Sequence, residues 1–219
     1  MEFLSSIFQP IVELMRMLLT YCYEFTQLVG YPSYGIAIII LTIAIKAVLA
    51  PLTVKQVKSM KAMQELQPRM KALQDKYKND PQKLQAEMAA LYKEMGVNPL
   101  SGCLPLLVQM PFLIAIYWAL QGYPYDPNYV SFLWLPSLGE ADPIYVLPIL
   151  SALSTYVLSK QAAGNASGAA ASQQKIMCYI MPLFIGYLSL TFPSGLVIYW
   201  VVSNVFQMVQ QHFIYRETN

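Results

Sequence analysis

The chain has 219 residues, of which 56% are hydrophobic and only 12% are charged, and its mean hydropathy is +0.42. Soluble domains carry about 25% charged residues, so this composition indicates a protein whose solvent is largely lipid. The net charge of +2 argues against a nucleic-acid-binding protein that depends on a strongly basic surface. The three cysteines, Cys22, Cys103 and Cys178, lie far apart in apolar surroundings and lack the spacing of metal ligands.

Residues 1–30 are predicted to form an amphipathic helix in the outer leaflet. The polar residues of this segment recur at helical spacing and form one stripe: Gln9, Glu13, Arg16, Thr20, Glu24 and Gln27. A helix of this kind lies in the membrane interface and does not cross the bilayer. The alternative, a signal peptide, is disfavoured because Met1-Glu2 offers no basic start and the polar stripe interrupts the apolar run.

Five apolar stretches are predicted to be transmembrane helices. The first, 34–54, would reach roughly 31 Å as a helix, which is enough for a hydrocarbon core. The other four are 100–120, 143–160, 175–191 and 195–214. Pro148, Pro182 and Pro193 are expected to bend or bound helices locally.

The distribution of basic residues predicts the orientation of these spans. Nine Lys and Arg residues fall within 55–98, whereas the loop 121–142 has none. The linker 161–174 is flanked by Lys160 and Lys175, and the tail carries Arg216. The positive-inside rule therefore places the N-terminus outside, the loop 121–142 outside, and the linker and the C-terminus in the cytoplasm.

The segment 55–98 is predicted to be a cytoplasmic helical hairpin. Asn79-Asp80-Pro81 is a turn signal that divides it into two helices. Apolar stripes are expected on both: Val57, Met60, Met63, Met70, Leu73 and Tyr77 on the first, and Leu84, Met88, Leu91 and Met95 on the second. The hairpin packs on itself in the simplest interpretation, and its methionines would also suit varied partners.

Lys46 is the most informative residue, because it lies about 13 Å deeper along the first span than Lys55. Snorkelling to the interface is the alternative to a functional role, but the side chain covers only part of that distance. Other predicted spans also contain polar residues: Gln109, Ser151, Ser154, Ser203, Asn204 and Gln207. Each alone is typical of a contact between helices, whereas together with Lys46 they predict a hydrated groove.

The predicted spans lack the residues that several classes of intramembrane enzyme need. All twelve carboxylates lie outside the predicted spans, and the single histidine is His212. Intramembrane metalloproteases and aspartyl proteases need clustered ligands or paired acids at depth. A Ser-Lys pair remains formally open. We therefore expect no enzyme, no metal and no cofactor.

Four groups of motifs resemble the YidC/Oxa family of membrane protein insertases, over roughly residues 30–216. The first two groups are Gly35 with Ala50-Pro51-Leu52 and Lys55-Gln56, and Asn98-Pro99-Leu100-Ser101-Gly102-Cys103-Leu104-Pro105 with Gln109-Met110-Pro111 and Tyr117. The others are Asp142-Pro143 with Leu147-Pro148, and Gln173-Gln174-Lys175-Ile176-Met177 with Phe192-Pro193-Ser194-Gly195-Leu196, Tyr199-Trp200, Ser203-Asn204 and Gln210-Gln211. The chain looks like the small, five-span bacterial form.

The resemblance implies an all-α integral membrane protein in which five transmembrane helices enclose a hydrophilic groove open to the cytoplasm. Lys46 matches a groove position that is usually arginine in the family, and Gln109 and Trp200 match two others. Trp200 would equally suit an aromatic anchor at the membrane interface. Met110, Pro111 and Pro182 match the face where a client helix is received.

The expected function is insertion of nascent single- and double-span proteins into the bacterial plasma membrane. Expected partners are those clients and membrane lipids, with the Sec translocon, the ribosome and the signal recognition particle as further candidates. One alternative is an assembly chaperone for clients that a Sec translocon has inserted. The other is a channel or transporter, which is disfavoured because no intramembrane acids or repeated halves are found. A monomer is expected.

Overall fold

The computed structural model describes residues 2–96, 104–163 and 174–217. They are helical almost throughout, and the only bridge among them is isolated and joins Phe132 to Leu135. The helices are α1 (Glu2–Leu28), α2 (Tyr34–Val48), α3 (Ala50–Lys76), α4 (Pro81–Glu94), α5 (Leu104–Gln121), α6 (Val146–Ala162), α7 (a π-helical turn, Ile176–Ile180, continued by an α-helix, Met181–Ser189) and α8 (Ser194–Glu217). The predicted all-α class is confirmed for this part of the chain.

Helix α1 has three faces. A buried stripe packs against α2 and α5: Val12, Met15, Leu19, Tyr23 and Thr26. The polar stripe expected from the sequence lies beside it and is mostly exposed. The third stripe is apolar and also exposed: Leu14, Met17, Tyr21, Phe25 and Leu28. This division into core-facing, polar and exposed apolar faces is the one that an interfacial helix needs.

Helices α2 and α3 differ from the single helix expected over 34–54, because they meet at Leu49 with a bend of 65°. Pro51 has no N–H and therefore interrupts the α2 hydrogen-bond ladder. The Leu49 N–H still donates to the Ile45 carbonyl at 3.0 Å, and the Thr53 N–H donates to the Leu49 carbonyl at 2.9 Å to begin α3.

Helices α3 and α4 form a helical hairpin. Leu66, Met70 and Leu91 are buried between them, whereas Met95 is exposed. The Asp80 side chain accepts the Lys83 N–H at 3.0 Å at the start of α4. Gly96, with a φ of +63°, lies just beyond the end of α4. The last two positions of the predicted hairpin fall outside the described residues.

Helix α3 is also fastened to the rest of the molecule. The Gln64 Nε2 donates to the Ala162 carbonyl at 2.5 Å and to the Tyr215 hydroxyl at 3.4 Å. Val57, which the sequence assigned to the hairpin stripe, is buried on the part of α3 between the bend and Gln64, outside the cluster of the hairpin. The base of the hairpin is thus attached to α6 and α8.

Local contacts set the boundaries of two of the remaining helices. Helix α6 begins three residues later than expected, because the Asp142 carboxylate accepts the Leu147 N–H at 2.7 Å and caps the helix. Pro182 has no N–H, and the turn before it widens so that the Met181 N–H reaches the Ile176 carbonyl. Residues 100–103 of the second predicted span and most of the linker 161–174 lie outside the described ranges.

The main apolar core lies at one end of the bundle, where α1, the loop 121–142 and the ends of α2, α5, α6 and α8 meet. The first N–H groups of α8 are satisfied by this loop. Ser194 donates to the Glu140 carbonyl at 2.7 Å and Gly195 to the Leu138 carbonyl at 2.9 Å. Leu138 itself is fully buried. This end of the bundle is closed by packed side chains.

Within the described ranges, no single helix has both the length and the apolar character needed to cross a membrane. The pair α2 and α3 meets both requirements together across its bend. Ile176–Ser189 is apolar but shorter.

Candidate functional site

Lys46 lies in the last turn of α2 and is only 6% exposed. Its ammonium donates to the Gln109 Oε1 of α5 at 3.1 Å. Among the described residues no carboxylate is paired with it. Thr42, one turn earlier, is fully buried and donates back to the Ile38 carbonyl at 2.6 Å, so its hydroxyl is already used within α2. The ammonium therefore has a neutral partner and two N–H groups left over.

Gln109 connects Lys46 to α8. Its Nε2 donates to the hydroxyl of Tyr199, a residue that is only 1% exposed. The Tyr199 hydroxyl also interacts with the Ser203 hydroxyl, one turn further along α8. Three predicted site residues, Lys46, Gln109 and Ser203, are thus joined through Tyr199 into one polar chain across α2, α5 and α8.

A second polar cluster joins α6 to α8. The Asn204 Nδ2 donates to the Ser154 Oγ at 3.1 Å and to the Thr155 Oγ1 at 3.0 Å. The Trp200 indole N–H donates to the same Thr155 oxygen at 3.0 Å. Trp200 and Asn204 therefore lie on a face of α8 next to that of Tyr199 and Ser203, within hydrogen bonds to α6. A similar contact ties α6 to α7, where the Ser151 and Ser189 hydroxyls are 2.9 Å apart.

The three residues assigned to a client-receiving face have different surroundings. Met110 is 42% exposed, and Pro111 is half-buried in the middle of α5. Pro182 is buried, whereas its neighbours Leu183 and Phe184 are 71% and 53% exposed. The outward surface of α7 therefore includes Leu183 and Phe184 but not Pro182 itself.

Two residues of the polar clusters were not predicted. Tyr199 lies four residues before Ser203 and Thr155 directly follows Ser154, and these spacings were the signals available. The described residues include no group of three His, Cys, Asp or Glu side chains able to hold a metal ion. Cys22 and Cys178 are free thiols, while Cys103 lies outside the described part of the chain. The N–H groups that Lys46 has left over suit an acceptor of hydrogen bonds, above all an anion.

Comparison with known proteins decides the family. Residues 24–219 match the family model described as 60Kd inner membrane protein. The chain belongs to this family. Its curated relatives include the membrane protein insertase YidC of Clostridium perfringens, 43% identical over 96% of this chain and 92% of that protein. The YidC of Caldanaerobacter subterraneus is also 43% identical, over 85% of this chain and 87% of the relative.

Some family members are longer. The YidC of Haemophilus influenzae is 44% identical over 84% of this chain, which spans only 34% of that protein. The fold is similar to a crystal structure of an active YidC insertase, with a TM-score of 0.66 and 30% sequence identity. That match covers 94% of this chain and 45% of the crystallised chain. The resemblance inferred from the motifs is therefore confirmed.

Proposed function

We propose that the chain is a membrane protein insertase of the bacterial inner membrane. The observation that carries the proposal is the buried Lys46 ammonium, which has Gln109 as a neutral partner. A buried charge of this kind costs free energy, and an acidic group of a client would offset that cost. The relatives that bear the name insertase over most of this chain support the same conclusion.

The proposed architecture has five membrane spans around a groove. They correspond to the predicted stretches 34–54, 100–120, 143–160, 175–191 and 195–214. Helix α1 would lie in the outer leaflet, and the hairpin 55–98 would lie in the cytoplasm. The packed core at the α1 end supports a groove that is closed on the outside. The basic hairpin supports the cytoplasmic assignment of the opposite end.

Client capture is proposed to be electrostatic. Lys46 attracts acidic residues in the outgoing tail of a nascent protein, and the attraction is stronger than in water because the site has a low dielectric constant. Gln109, Ser203 and Asn204 supply hydrogen bonds that replace part of the hydration of the tail. Trp200 forms one wall of this polar region. The cycle uses no covalent step, nucleotide, metal or cofactor.

Release is proposed to occur sideways into lipid, between α5 and α7. Met110 on α5 and Leu183 and Phe184 on α7 present the exposed apolar surface. Pro111 and the buried Pro182 would shape the two helices. The apolar helix of the client leaves because lipid removes its surface from water. Single- and double-span proteins are the proposed clients, and the Sec translocon, the ribosome and the signal recognition particle are proposed cytoplasmic or membrane partners.

The test uses purified protein in liposomes and a freshly synthesised single-span client with an acidic outgoing tail. Protection of this tail from external protease is compared for the native chain, Lys46→Ala, Lys46→Glu and Lys46→Arg. Lys71→Glu, which changes an exposed residue of α3, is the matched control. We expect Lys46→Glu to lose most protection, Lys46→Arg to keep it, and the control to behave as the native chain does.

The other outcomes separate the alternatives. Protection that is unchanged by all Lys46 variants would keep the insertase and remove the electrostatic step. No protection above empty liposomes, while a known insertase is active alongside, would contradict insertion and favour an assembly chaperone. Solute flux through the purified protein without any client would favour a channel.

A further inference from the structure

Gln109 is held from both sides, and this fixes which way its amide points. Its oxygen accepts from Lys46, and its nitrogen donates to the Tyr199 hydroxyl. An amide group that turned over would aim N–H groups at the Lys46 ammonium. The Tyr199 oxygen accepts from Gln109, and the Tyr199 hydroxyl also lies within hydrogen-bonding reach of Ser203. The hydrogen bonds therefore run in one direction from Lys46 to α8.

We propose that Tyr199 is a positioning residue of the insertase: it holds the Gln109 amide so that this oxygen occupies the place of a client carboxylate on Lys46. The inference rests on the proposed function. In the empty groove, Gln109 keeps the ammonium fixed at the depth where an acidic group will meet it. A carboxylate then displaces a neutral acceptor from Lys46 and forms a stronger, charge-assisted hydrogen bond.

Two features of Tyr199 suit this role. The residue is 1% exposed, and its neighbours Val197 and Ile198 belong to the main apolar core, so the ring is anchored rather than mobile. Its hydroxyl is therefore a fixed acceptor, whereas Gln109 is half-buried and has three rotatable bonds. Without this acceptor, the Gln109 amide is free to leave Lys46, and the lysine side chain is free to extend towards water.

The test compares Tyr199→Phe with the native chain in the liposome assay, on two clients. One client has two acids in its outgoing tail, and the other has Asn and Gln in their place. Removing a single neutral hydrogen bond predicts a loss of about three- to tenfold in the insertion rate of the acidic client, and little change for the neutral one. Tyr215→Phe is the matched control, because it also removes a Gln–Tyr hydrogen bond, at Gln64 and away from Lys46.

A double-variant cycle separates positioning from a structural role. Tyr199→Phe should have no further effect in a Gln109→Leu background, because Tyr199 acts through Gln109. Equal losses on both clients, or losses that multiply in the double variant, would overturn the inference. The midpoint temperature of unfolding in detergent is measured for each variant, and the cycle is repeated with Tyr199→Leu, which also lacks an acceptor, if the Phe variant is unstable.

Two further outcomes separate the positioning role from the proposed function. If the native chain inserts both clients and Tyr199→Phe does so equally well, the positioning role fails while the proposed function stands. If the native chain inserts neither client, the proposed function itself fails.

Discussion

The Arg16 guanidinium occupies the space that a side chain at position 122 would fill. From there its Nη2 donates to the Trp118 carbonyl at 3.1 Å and its Nε to the Ala119 carbonyl at 3.4 Å, both in the last turn of α5. A cation at a helix C-terminus is favourable because it meets carbonyl groups that have no partner within the helix. Gly122 thus allows α1 to dock on α5.

Gly122→Ala is predicted to displace Arg16 and to lower the free energy of unfolding by about 1–3 kcal/mol, the cost of losing hydrogen bonds from a charged donor. Arg16→Met should have a similar effect, and the double variant should be no worse than either single one. The measurement is thermal unfolding in detergent. Gly139→Ala is the control, because its new methyl group would make only ordinary contacts. Additive effects would show that Arg16 and Gly122 act separately.

Gly35 is predicted to be intolerant of any side chain, because the Phe132 ring lies where a Cβ atom would be. Gly35→Ala forces this ring out of its place between α2 and the loop, at a cost of about 1–3 kcal/mol for overpacking. Phe132→Leu should recover part of that loss in the double variant, although it is itself destabilising. Thermal unfolding of the three variants tests this pair, and an absence of recovery would mean that the backbone of α2 has moved instead.

Asp142 holds the start of α6. The carboxylate is 3% exposed and accepts the Leu147 N–H, the Ile144 N–H and the Trp134 indole N–H. Asp142→Asn replaces one acceptor oxygen by a donor that faces another donor, and we expect a loss of about 1–3 kcal/mol in unfolding free energy. Asp126→Asn is the control. Its side chain is half-buried and bonds to Asn128 two residues along the same loop, so its effect should stay within about 0.5 kcal/mol.

The Tyr125 hydroxyl is buried and has no hydrogen-bond partner among the described residues. Burial, and then the nearby Tyr123 and Tyr34 side chains, raise the pKa of this hydroxyl above the usual value of 10.0. The folded chain thus holds the proton more tightly than the unfolded chain. Its contribution to stability is complete below about pH 10 and is lost as the pH rises towards the folded-state pKa.

Tyr125→Phe removes this titration. It is predicted to leave the unfolding temperature at pH 7 unchanged or higher, because the lost hydroxyl was unpaired. Between about pH 10 and pH 12 the variant should lose less stability than the native chain does. Tyr31→Phe, at a position that is 71% exposed, is the control and should follow the native chain. Parallel curves for all three proteins would contradict the assignment.

The chemistry of the site could be read from the sequence more easily than its geometry. Lys46 and Gln109 stand out because a polar side chain within an apolar stretch costs free energy, and a residue with such a cost is a candidate for a functional role. Tyr199 gives no such signal, since a tyrosine is compatible with an apolar stretch, a membrane interface or a buried core. Only the arrangement of α5 against α8 shows that its hydroxyl meets Gln109.

The helix boundaries show the same limit. Hydropathy indicates whether a segment lies in lipid or in water, but it does not indicate where a helix changes direction. The apolar run through Val48 and Leu52 therefore gives no sign of the bend at Leu49. The start of α6 depends on a carboxylate that reaches five residues along the chain to Leu147. That reach is possible because Tyr145 adopts a left-handed conformation with a φ of +61°, which no propensity of tyrosine predicts.

Helix α3 is attached to the rest of the molecule at Leu49 and Gln64, so its first part is fixed in place. We call the part beyond Gln64 the arm. Beyond Gln64 the helix continues for about 18 Å at 1.5 Å per residue, and α4 is carried on that arm. One residue inserted before Gln64 would rotate everything after it by about 100° and break the contacts with Ala162 and Tyr215. One residue inserted after it would turn only the arm. Evolution can therefore lengthen or re-aim the hairpin while the polar chain around Lys46 keeps its geometry.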